Sequence, residues 1–450
     1  MISFTSELVE KAITRGLDEV EVYSVHTLTR LFSIVNDKVW ESTVTEDYDI
    51  GLRGALGKRV GAIRLNALSI GVHEVLEKLY AVVKSSPEDP HWSGFPGAVG
   101  ATSPVTCYDD KTAKMSEKEL VESLKYTMEA FKAPALRRGV ERTTITEGVL
   151  SVQEYEISIV NSHGVEKSTR CSGVLLWLVL SVAKGGYTAD KTLFYSKRGL
   201  DLRELEKKAI TEGELTLFFL GASALSSGVY DVVLAPTVAG ELLEYSLAPA
   251  FSALNILEGR SRLKGKLGEV VFNDAVTLLD DPSLDLAMGT RPFDDEGIPT
   301  SRKPVVEKGV FRAVLHSYYT ARRMGVSPTG NGIRQHAAAS PTPRFTNLVL
   351  SPGKGSLEDF TRDVARGVVI YEVIGHWMSN PITGAVKATV THGALVEAGN
   401  VVKPIKGVVI GGDIYEWLSS KLAGVGSDLE VIGTLATPSL WIRGVKVAGQ

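Results

Sequence analysis

Apolar positions near the start of the chain change from a helical pattern to a strand pattern. Leu8, Val9, Ala12 and Ile13 recur at the spacing of one helix face, and Gly16 follows as a C-terminal cap. Stretches rich in Val, Ile, Thr and aromatic residues come next, as is typical of strands. We expect strands at Glu19–His26, Thr29–Asn36 and Val39–Thr45, with a turn at Asn36-Asp37.

Local signals define the elements that follow. Ser116 and Glu119 have the spacing of a capping box, which predicts the start of a helix. Residues 161–164, Asn-Ser-His-Gly, are typical of a hairpin turn. Residues 85–113 are rich in Pro and Gly without periodicity, which predicts a long surface loop. We expect helices from Ser116 to about Lys132 and over Leu202–Thr211, and long strands at Thr143–Val160 and Val165–Ala183.

Beyond residue 215 the pattern is dominated by Gly-rich strands with few helices. Runs of strands with segregated helices favour an α+β protein with largely antiparallel sheets and packed helices. We therefore predict two lobes, an N-terminal α+β domain over 1–215 and a β-rich C-terminal domain over 216–450. The expected C-terminal helices are Val238–Leu254 and Gly412–Leu422, and the expected strands are Val229–Ala235, Gly268–Leu278, Val305–Leu315, Phe345–Leu350, Gly367–Ile374, Ala385–Glu397 and Val408–Ile410.

Composition excludes several classes of protein. The 450 residues are 44% hydrophobic and 23% charged, and the formal net charge is −4, which favours a globular protein without nucleic acid as its partner. The most apolar stretch, Val174–Ala183, is about half of a membrane span. Cys107 and Cys171 are too few for a disulfide framework, so we expect a cytoplasmic protein. Only three Gln and nine Asn occur, which is consistent with a thermophilic source.

Motifs for common catalytic chemistry are absent from the sequence. There is no GxxxxGK[ST] loop, no helix-opening GxGxxG and no GxSxG elbow. The single His-Glu pair, His73-Glu74, is followed one turn later by Glu77 and Lys78 instead of the second histidine of a zincin. A metal site built from dispersed histidines stays open as an alternative, and its candidates are His316, His336, His376 and His392.

Six segments of the sequence occur in an order that resembles a known family. In the first half of the chain, Asn161-Ser162-His163-Gly164 resembles the Asn-Ser-x-Gly hairpin of the same family. The match identifies the chain as a member of the TldD/PmbA family, historically named modulators of DNA gyrase. The segments are SGVYDVVLAPTVAGELLEYSLAPAFSA (227–253), LEGRSRLKGKLGEVV (257–271), RPFDDEGIPTSRKPVVEKGVF (291–311), SPTPRFTNLVLSPG (340–353), VIGHWMSNPITGA (373–385) and TPSLWIRGVKVAGQ (437–450).

The family that the chain resembles has two branches, a metal-binding TldD-like branch and a PmbA-like (TldE) branch. TldD-like members carry His-Glu-x-x-x-His on a central helix and a further cysteine ligand near the C-terminus. In this chain Glu244, Tyr245 and Pro249 occupy the three motif positions, and no cysteine follows Cys171. One carboxylate holds zinc poorly, a phenol with an ordinary pKa near 10 is a poor general base, and proline interrupts a helix. The resemblance therefore implies the PmbA-like branch without its own metal.

The resemblance also implies a function. We expect a non-catalytic subunit of a metallopeptidase that acts on unstructured peptides, with zinc in a TldD-like partner subunit; a homodimer stays open. Strand edges at Val373–Ile374 and Gly407–Gly412 could pair with an extended peptide, and Arg334 and His336 are candidates for lining the cleft. The alternatives are an autonomous metallopeptidase that uses the dispersed histidines, and a binding protein that acts on gyrase or similar targets.

Overall fold

The computed structural model describes residues 2–66, 71–98, 100 and 102–449. Two short 3-10 helices, Ala248–Phe251 and His376–Met378, accompany the longer elements. The α-helices are Ile2–Arg15 (α1), Val72–Ser85 (α2), Asp110–Ala113 (α3), Glu117–Arg137 (α4), Leu202–Phe218 (α5), Pro236–Ser246 (α6), Ala253–Leu257 (α7), Tyr318–Met324 (α8), Leu357–Asp363 (α9) and Ile414–Ser419 (α10).

The strands form one long-stranded sheet in the first half of the chain and several sheets in the second. They are Glu19–Val35 (β1), Lys38–Leu56 (β2), Arg59–Leu65 (β3), Arg142–Asn161 (β4), Glu166–Lys184 (β5), Tyr187–Lys197 (β6), Gly228–Leu234 (β7), Leu278–Asp280 (β8), Lys303–Glu307 (β9), Val310–Phe311 (β10), Gly332–Ile333 (β11), Thr342–Pro343 (β12), Leu348–Leu350 (β13), Arg366–Ile374 (β14), Ala385–Glu397 (β15), Asn400–Ile405 (β16), Val408–Asp413 (β17), Leu422–Val425 (β18), Glu430–Ile432 (β19), Leu435–Thr437 (β20) and Leu440–Ala448 (β21).

The first sheet is antiparallel throughout, with strand order β3-β2-β1-β4-β5-β6. Helices α1 and α2 cover one end of it and α4 and α5 cover the other, which gives this half two separate apolar cores. The two strands expected at 19–26 and 29–36 are a single strand, β1, because its pairing with β2 and β4 continues without a gap through residues 27 and 28.

Both hairpins predicted in the first half are confirmed. Asn36 and Asp37 have φ values of 47° and 64°, which the two-residue turn of a type I′ hairpin requires of both positions. In the second hairpin, the Asn161 side-chain oxygen accepts hydrogen bonds from the backbone N–H groups of His163 (2.9 Å) and Val165 (3.1 Å). These polar turn residues therefore fix the register of the long strands on either side.

The second half of the chain contains a seven-stranded sheet and a six-stranded sheet. Their orders are β14-β7-β21-β17-β15-β16, with β18 beside β21, and β10-β9-β8-β13-β20-β19. Most pairs are antiparallel; β7 with β14 and β13 with β20 are parallel. Helix α6 packs its buried face, which includes Leu242 and Leu243, into the largest apolar core. The predicted α+β class with largely antiparallel sheets is confirmed.

Some predicted elements have different bounds. The strand expected at Gly268–Leu278 is reduced to its end in β8, because its backbone donors go to separate elements, for example Gly268 N to Phe311 O of β10 and Asn273 N to Leu418 O of α10. Helix α4 extends beyond the predicted end through Pro134, whose side chain lies buried against α5 at Gly213. Tertiary contacts therefore override the local pattern in both places.

The predicted loop over 85–113 contributes to the first half of the fold. Cys107 is bonded to Cys171 of β5, so the two cysteines form a disulfide although they are too few for a disulfide framework. The loop ends in the short helix α3, and residues 99 and 101 lie outside the described residues. No helix within the described ranges has both the length and the apolar character to cross a membrane.

Candidate functional site

The segment that carries the three motif positions is a broken helix. Helix α6 begins with Pro236 in its first turn and ends at Ser246, and a 3-10 helix starts at Ala248. Leu247, between them, has left regular helical geometry at φ −126° and ψ −47°. Pro249 has no N–H to continue the ladder of hydrogen bonds, which explains the break. The interruption expected from the sequence is confirmed.

Glu244 and Tyr245 lie in the wall of a groove of about 710 Å³. The groove runs past the broken helix, the short strands β11 and β12, and the residues that follow the 3-10 helix at 376–378. A smaller cavity of about 210 Å³ adjoins it and shares Glu244 and Tyr245. The groove is lined by Glu244, Tyr245, Ala248, Pro249, Ser252, Leu254, Asn255, Ile333, Thr342, Pro343, Arg344, Phe345, Leu348, Trp377, Ser379, Pro381, Thr434 and Leu435.

Two residues that the sequence did not indicate as a pair meet in the smaller cavity. His376 Nδ1 lies 3.8 Å from Glu241 Oε2, and the His376 ring contacts the Tyr245 ring at a centroid distance of 5.1 Å. His376 Nδ1 is buried and has no hydrogen-bond partner in the described part of the chain. Helix α6 therefore presents Glu241, Glu244 and Tyr245 to one continuous surface.

Burial shifts the pKa values of four ionisable groups on this surface. It raises the pKa of Glu241 to about 7, with further contributions from the negative charges of Glu372 and Glu244. Burial also raises the pKa of Glu244, although Arg344 opposes the shift, and it raises the pKa of Tyr245. The pKa of His376 is lowered for the same reason. Each of these shifts is in the direction that favours the neutral form of its group.

These groups do not fit the zinc that the family resemblance implies for TldD-like relatives. At the motif positions, Glu244 offers one carboxylate, Tyr245 offers a phenol whose pKa is raised further, and Pro249 offers no donor. A catalytic zinc site has three protein ligands. Over residues 2–66, 71–98, 100 and 102–449, no group of three or more His, Cys, Asp or Glu side chains is placed to hold a metal ion.

The dispersed histidines occupy separate environments. His316 is buried, with its Nδ1 atom 3.5 Å from Thr320 Oγ1. His392 has its Nε2 atom 2.7 Å from the backbone oxygen of Asp190. His336 is exposed on the loop between β11 and β12, while His376 is in the cavity beside Glu241. The structure does not bring these four side chains into one group.

Arg334 is buried between the two halves of the molecule and is not in the groove wall. Its Nη2 atom donates to Glu21 of β1, its Nε atom donates to the Asp295 carbonyl at 3.1 Å, and its guanidinium lies 4.9 Å from the Tyr23 ring centre. Arg53 of β2 donates to the same Glu21 oxygen at 3.1 Å. We call Glu21, Tyr23, Arg53, Asp295 and Arg334 the clamp.

The loop that carries Arg334 continues along the first sheet. Ala337 N donates to Asp49 of β2, and a Cβ atom at Gly51 would lie 2.1 Å from the Ala337 carbonyl oxygen, so only glycine permits this approach. His336 is exposed on this loop, and its role at a peptide cleft stays a prediction.

The strand edges expected to bind a peptide are partly occupied. Within the expected edge at Gly407–Gly412, residues 409–411 of β17 pair with β15 on one side and with β21 on the other, so that prediction is wrong for these residues. Val373 and Ile374 pair with β15, while the ladder between β14 and β7 stops at Ile370. The edge of Val373 and Ile374 that faces away from β15 therefore lies beyond the end of the β14–β7 ladder.

Comparisons with known proteins agree with this architecture. Residues 227–449 match the sequence profile of the PmbA/TldA metallopeptidase C-terminal domain. A metalloprotease of Methanothermobacter thermautotrophicus is 32% identical over 232 residues, which are 52% of this chain and 50% of that protein. The chain spans about half the length of the first curated relatives it matches.

Solved structures extend the likeness to the whole chain. A protein of Thermotoga maritima described as a modulator of a DNA gyrase has a TM-score of 0.86 and 27% identity, and the match covers 99% of both chains. TldE from Thermococcus kodakarensis has a TM-score of 0.88 at 24% identity, again over 99% of both chains, which shows a shared fold.

Proposed function

Because the chain belongs to the TldD/PmbA family, we propose that it is a non-catalytic subunit of a metallopeptidase of that family. In this proposal the catalytic zinc is held by a TldD-like partner subunit, and the groove beside α6 helps to enclose an extended, unstructured peptide. One observation carries the proposal: Glu244, Tyr245 and Pro249 face or border the groove at the positions of the metal motif, yet offer one carboxylate among them.

The shape and chemistry of the groove support a peptide as its occupant. Its walls combine apolar side chains, such as Leu254, Phe345 and Trp377, with a few polar groups, such as Asn255 and Arg344. Its volume of about 710 Å³ lies within the range of about 300–1,000 Å³ that is typical of ligand sites. A mostly apolar wall with few charges suits peptides of varied sequence.

The lack of a set of zinc ligands beside α6, among the described residues, supports the non-catalytic role. A general base that activates water needs a carboxylate or imidazole that is ready to accept a proton at the working pH. Glu241, with a pKa of about 7, and His376, whose pKa is lowered by burial, can accept a proton near neutral pH, but no set of zinc ligands accompanies them in the described ranges. A zinc-activated water has no set of ligands here to hold it.

The test compares the chain alone with the chain isolated from its native source. The purified chain, dialysed against zinc, is expected to retain no stoichiometric metal and to leave an unstructured peptide such as reduced casein intact. When the chain is purified from its native source, a second protein that contains His-Glu-x-x-x-His is expected to co-purify with it, together with zinc and peptidase activity. Retention of zinc and cleavage by the single chain would instead support an autonomous peptidase.

A further inference from the structure

A third cavity lies between the first sheet and the second half of the chain. It has a volume of about 330 Å³ and shares the residues Leu254, Thr342 and Pro343 with the groove, so the two adjoin at that wall. We call it the arginine pocket, defined by Arg53, Trp92, Phe95, Tyr319 and Arg323, which line it together with residues from both halves.

Arg53 places a buried positive charge in this pocket. The side chain is 7% exposed, and its guanidinium carbon lies 5.2 Å from the Phe95 ring centre and 5.9 Å from that of Trp92. Among the described residues its guanidinium makes one hydrogen bond, the 3.1 Å contact from Nη1 to Glu21. A guanidinium has five N–H donors, so most of its capacity is not used within the chain.

The charge on Glu21 is shared and does not fully compensate Arg53. Glu21 is 1% exposed, and the same oxygen, Oε1, accepts from both Arg53 and Arg334. Arg53 therefore shares its one hydrogen-bonded carboxylate with the Arg334 guanidinium. Buried charge is costly unless it is paired, which favours an anion beside Arg53.

The acidic residues of the pocket each have a partner within the chain. Glu258 pairs with Arg260, and Asp89 accepts a hydrogen bond from His91 N at 2.9 Å and also interacts with Tyr319 in the pocket. Glu296 accepts from Tyr318 N at 2.6 Å, and burial raises its pKa well above the ordinary value, which favours the neutral acid. Arg323, the second cation of the pocket, stacks on the Tyr319 ring at 5.6 Å. The pocket therefore offers cations and aromatic faces to a ligand.

We propose that the arginine pocket binds a carboxylate, namely the C-terminal carboxylate of a peptide whose preceding residues occupy the adjoining groove. Arg53 forms the charge-assisted hydrogen bonds, which are about twice as strong as neutral ones. The aromatic walls of Trp92, Phe95 and Tyr319 cover the last side chain. The proposal rests on the proposed function in one respect, that the groove holds a peptide. It adds that the chain selects free C-terminal ends.

The first part of the test compares peptide ligands that differ at the C-terminus, and the second part compares variants of the protein. The full chain is titrated with a short, fluorescently labelled Ala-Ser peptide that ends in a free carboxylate, and with the same peptide ending in an amide. We expect the amide to bind at least about tenfold more weakly, because it loses its negative charge. A third peptide, amidated but with a terminal glutamate residue, distinguishes a side-chain carboxylate from the terminal one.

Three Arg→Gln variants, each of which removes one positive charge, show which arginine causes the preference for the free acid. Arg53→Gln is expected to bind the acid and the amide equally weakly, and Arg323→Gln, at a less buried position, provides a second variant if Arg53→Gln fails to fold. Arg344→Gln removes a cation from the groove but not from the pocket. This control is expected to preserve the preference for the acid.

Each outcome decides between the two proposals. Equal binding of the acid and the amide by the unaltered chain would overturn the arginine pocket and leave the peptide groove standing. Failure of every peptide to bind would overturn both. Tight binding of the amidated glutamate peptide would support a carboxylate site that reads an acidic side chain.

Discussion

The clamp and the broken α6 segment both concentrate ionisable side chains, but they use them in opposite ways. In the clamp, Glu21 and Arg334 are buried, and each is paired with more than one partner. On α6, Glu241 and Tyr245 are partly exposed, and the His376 imidazole, whose pKa is lowered by burial, lies 3.8 Å from the Glu241 carboxyl. Glu21 and Arg334 are therefore paired within the chain, whereas the α6 surface is open to a ligand.

This difference shows which charged residues maintain the fold and which are available for binding. A buried, multiply paired ion is costly to break, because the partner left behind stays buried and charged. A half-buried, weakly paired group costs little to replace, but its protonation follows the pH. Arg53 belongs to both classes, because it is paired with Glu21 and also faces the arginine pocket.

Loss of Arg334 is expected to have the largest effect on stability. Arg334→Met leaves the buried Glu21 with Arg53 as its remaining cation and removes hydrogen bonds to the carbonyls of Asp295, Ala337 and Ala339. We expect the free energy of unfolding to fall by about 3–5 kcal/mol, as for other broken buried pairs. Denaturant unfolding followed by circular dichroism measures the change.

The matched control for the clamp is Arg344→Met in the exposed groove wall. It removes the same charge and is expected to change the free energy of unfolding by less than about 0.5 kcal/mol. If both substitutions had the same small effect, the clamp would not hold the two halves together.

The clamp also shows where prediction from the sequence stops. Local signals were enough for the two hairpins and for the capping box of α4. Asn36 and Asp37 adopt the positive φ values of a tight turn, and the side chains of Asn161 and Ser116 accept hydrogen bonds from backbone groups nearby in the sequence. Arg334 was expected in a cleft. Its burial depends on Glu21 and Asp295, which are distant in sequence, and no local pattern reports such partners.

The candidate site, like the fold, could be predicted from the sequence only in part. The family resemblance placed Glu244, Tyr245 and Pro249 on one segment, and the break at Leu247 followed from the chemistry of proline. The meeting of Glu241 with His376 could not be predicted, because it depends on how the seven-stranded sheet packs against α6. The same limit applies to the arginine pocket, which residues from both halves form.

The second prediction concerns the pH dependence of stability at Glu241. Its folded-state pKa, about 7, lies above the ordinary value of 4.5, so the native state binds the extra proton between these values. The contribution of protonated Glu241 to the free energy of unfolding is therefore fully present below pH 4.5 and is lost as the pH rises through 7. Glu241→Gln keeps a neutral side chain, and we expect it to be more stable than the unaltered chain by about 2 kcal/mol at pH 8.

The comparison at pH 5 and pH 8 makes this test specific. At pH 5 Glu241 is mostly protonated, so the glutamine variant and the unaltered chain should unfold at similar denaturant concentrations. Glu122→Gln, on the exposed face of α4, is the control and should show no such divergence. Equal stability of Glu241→Gln and the unaltered chain at both pH values would show that burial does not control this carboxyl.

The smallest effect is expected from Pro249→Ala, which tests whether the broken helix is the reason that the segment does not fit a metal. The substitution restores a backbone N–H and permits a longer helix, but Glu244 and Tyr245 still offer one carboxylate and one phenol. We therefore expect slightly more helix by circular dichroism and no zinc after dialysis, because ligand chemistry is limiting here and helix geometry is not. The triple variant Glu244→His, Tyr245→Glu, Pro249→His supplies the missing donors as a comparison, and stoichiometric zinc on Pro249→Ala alone would show that backbone geometry had been the obstacle.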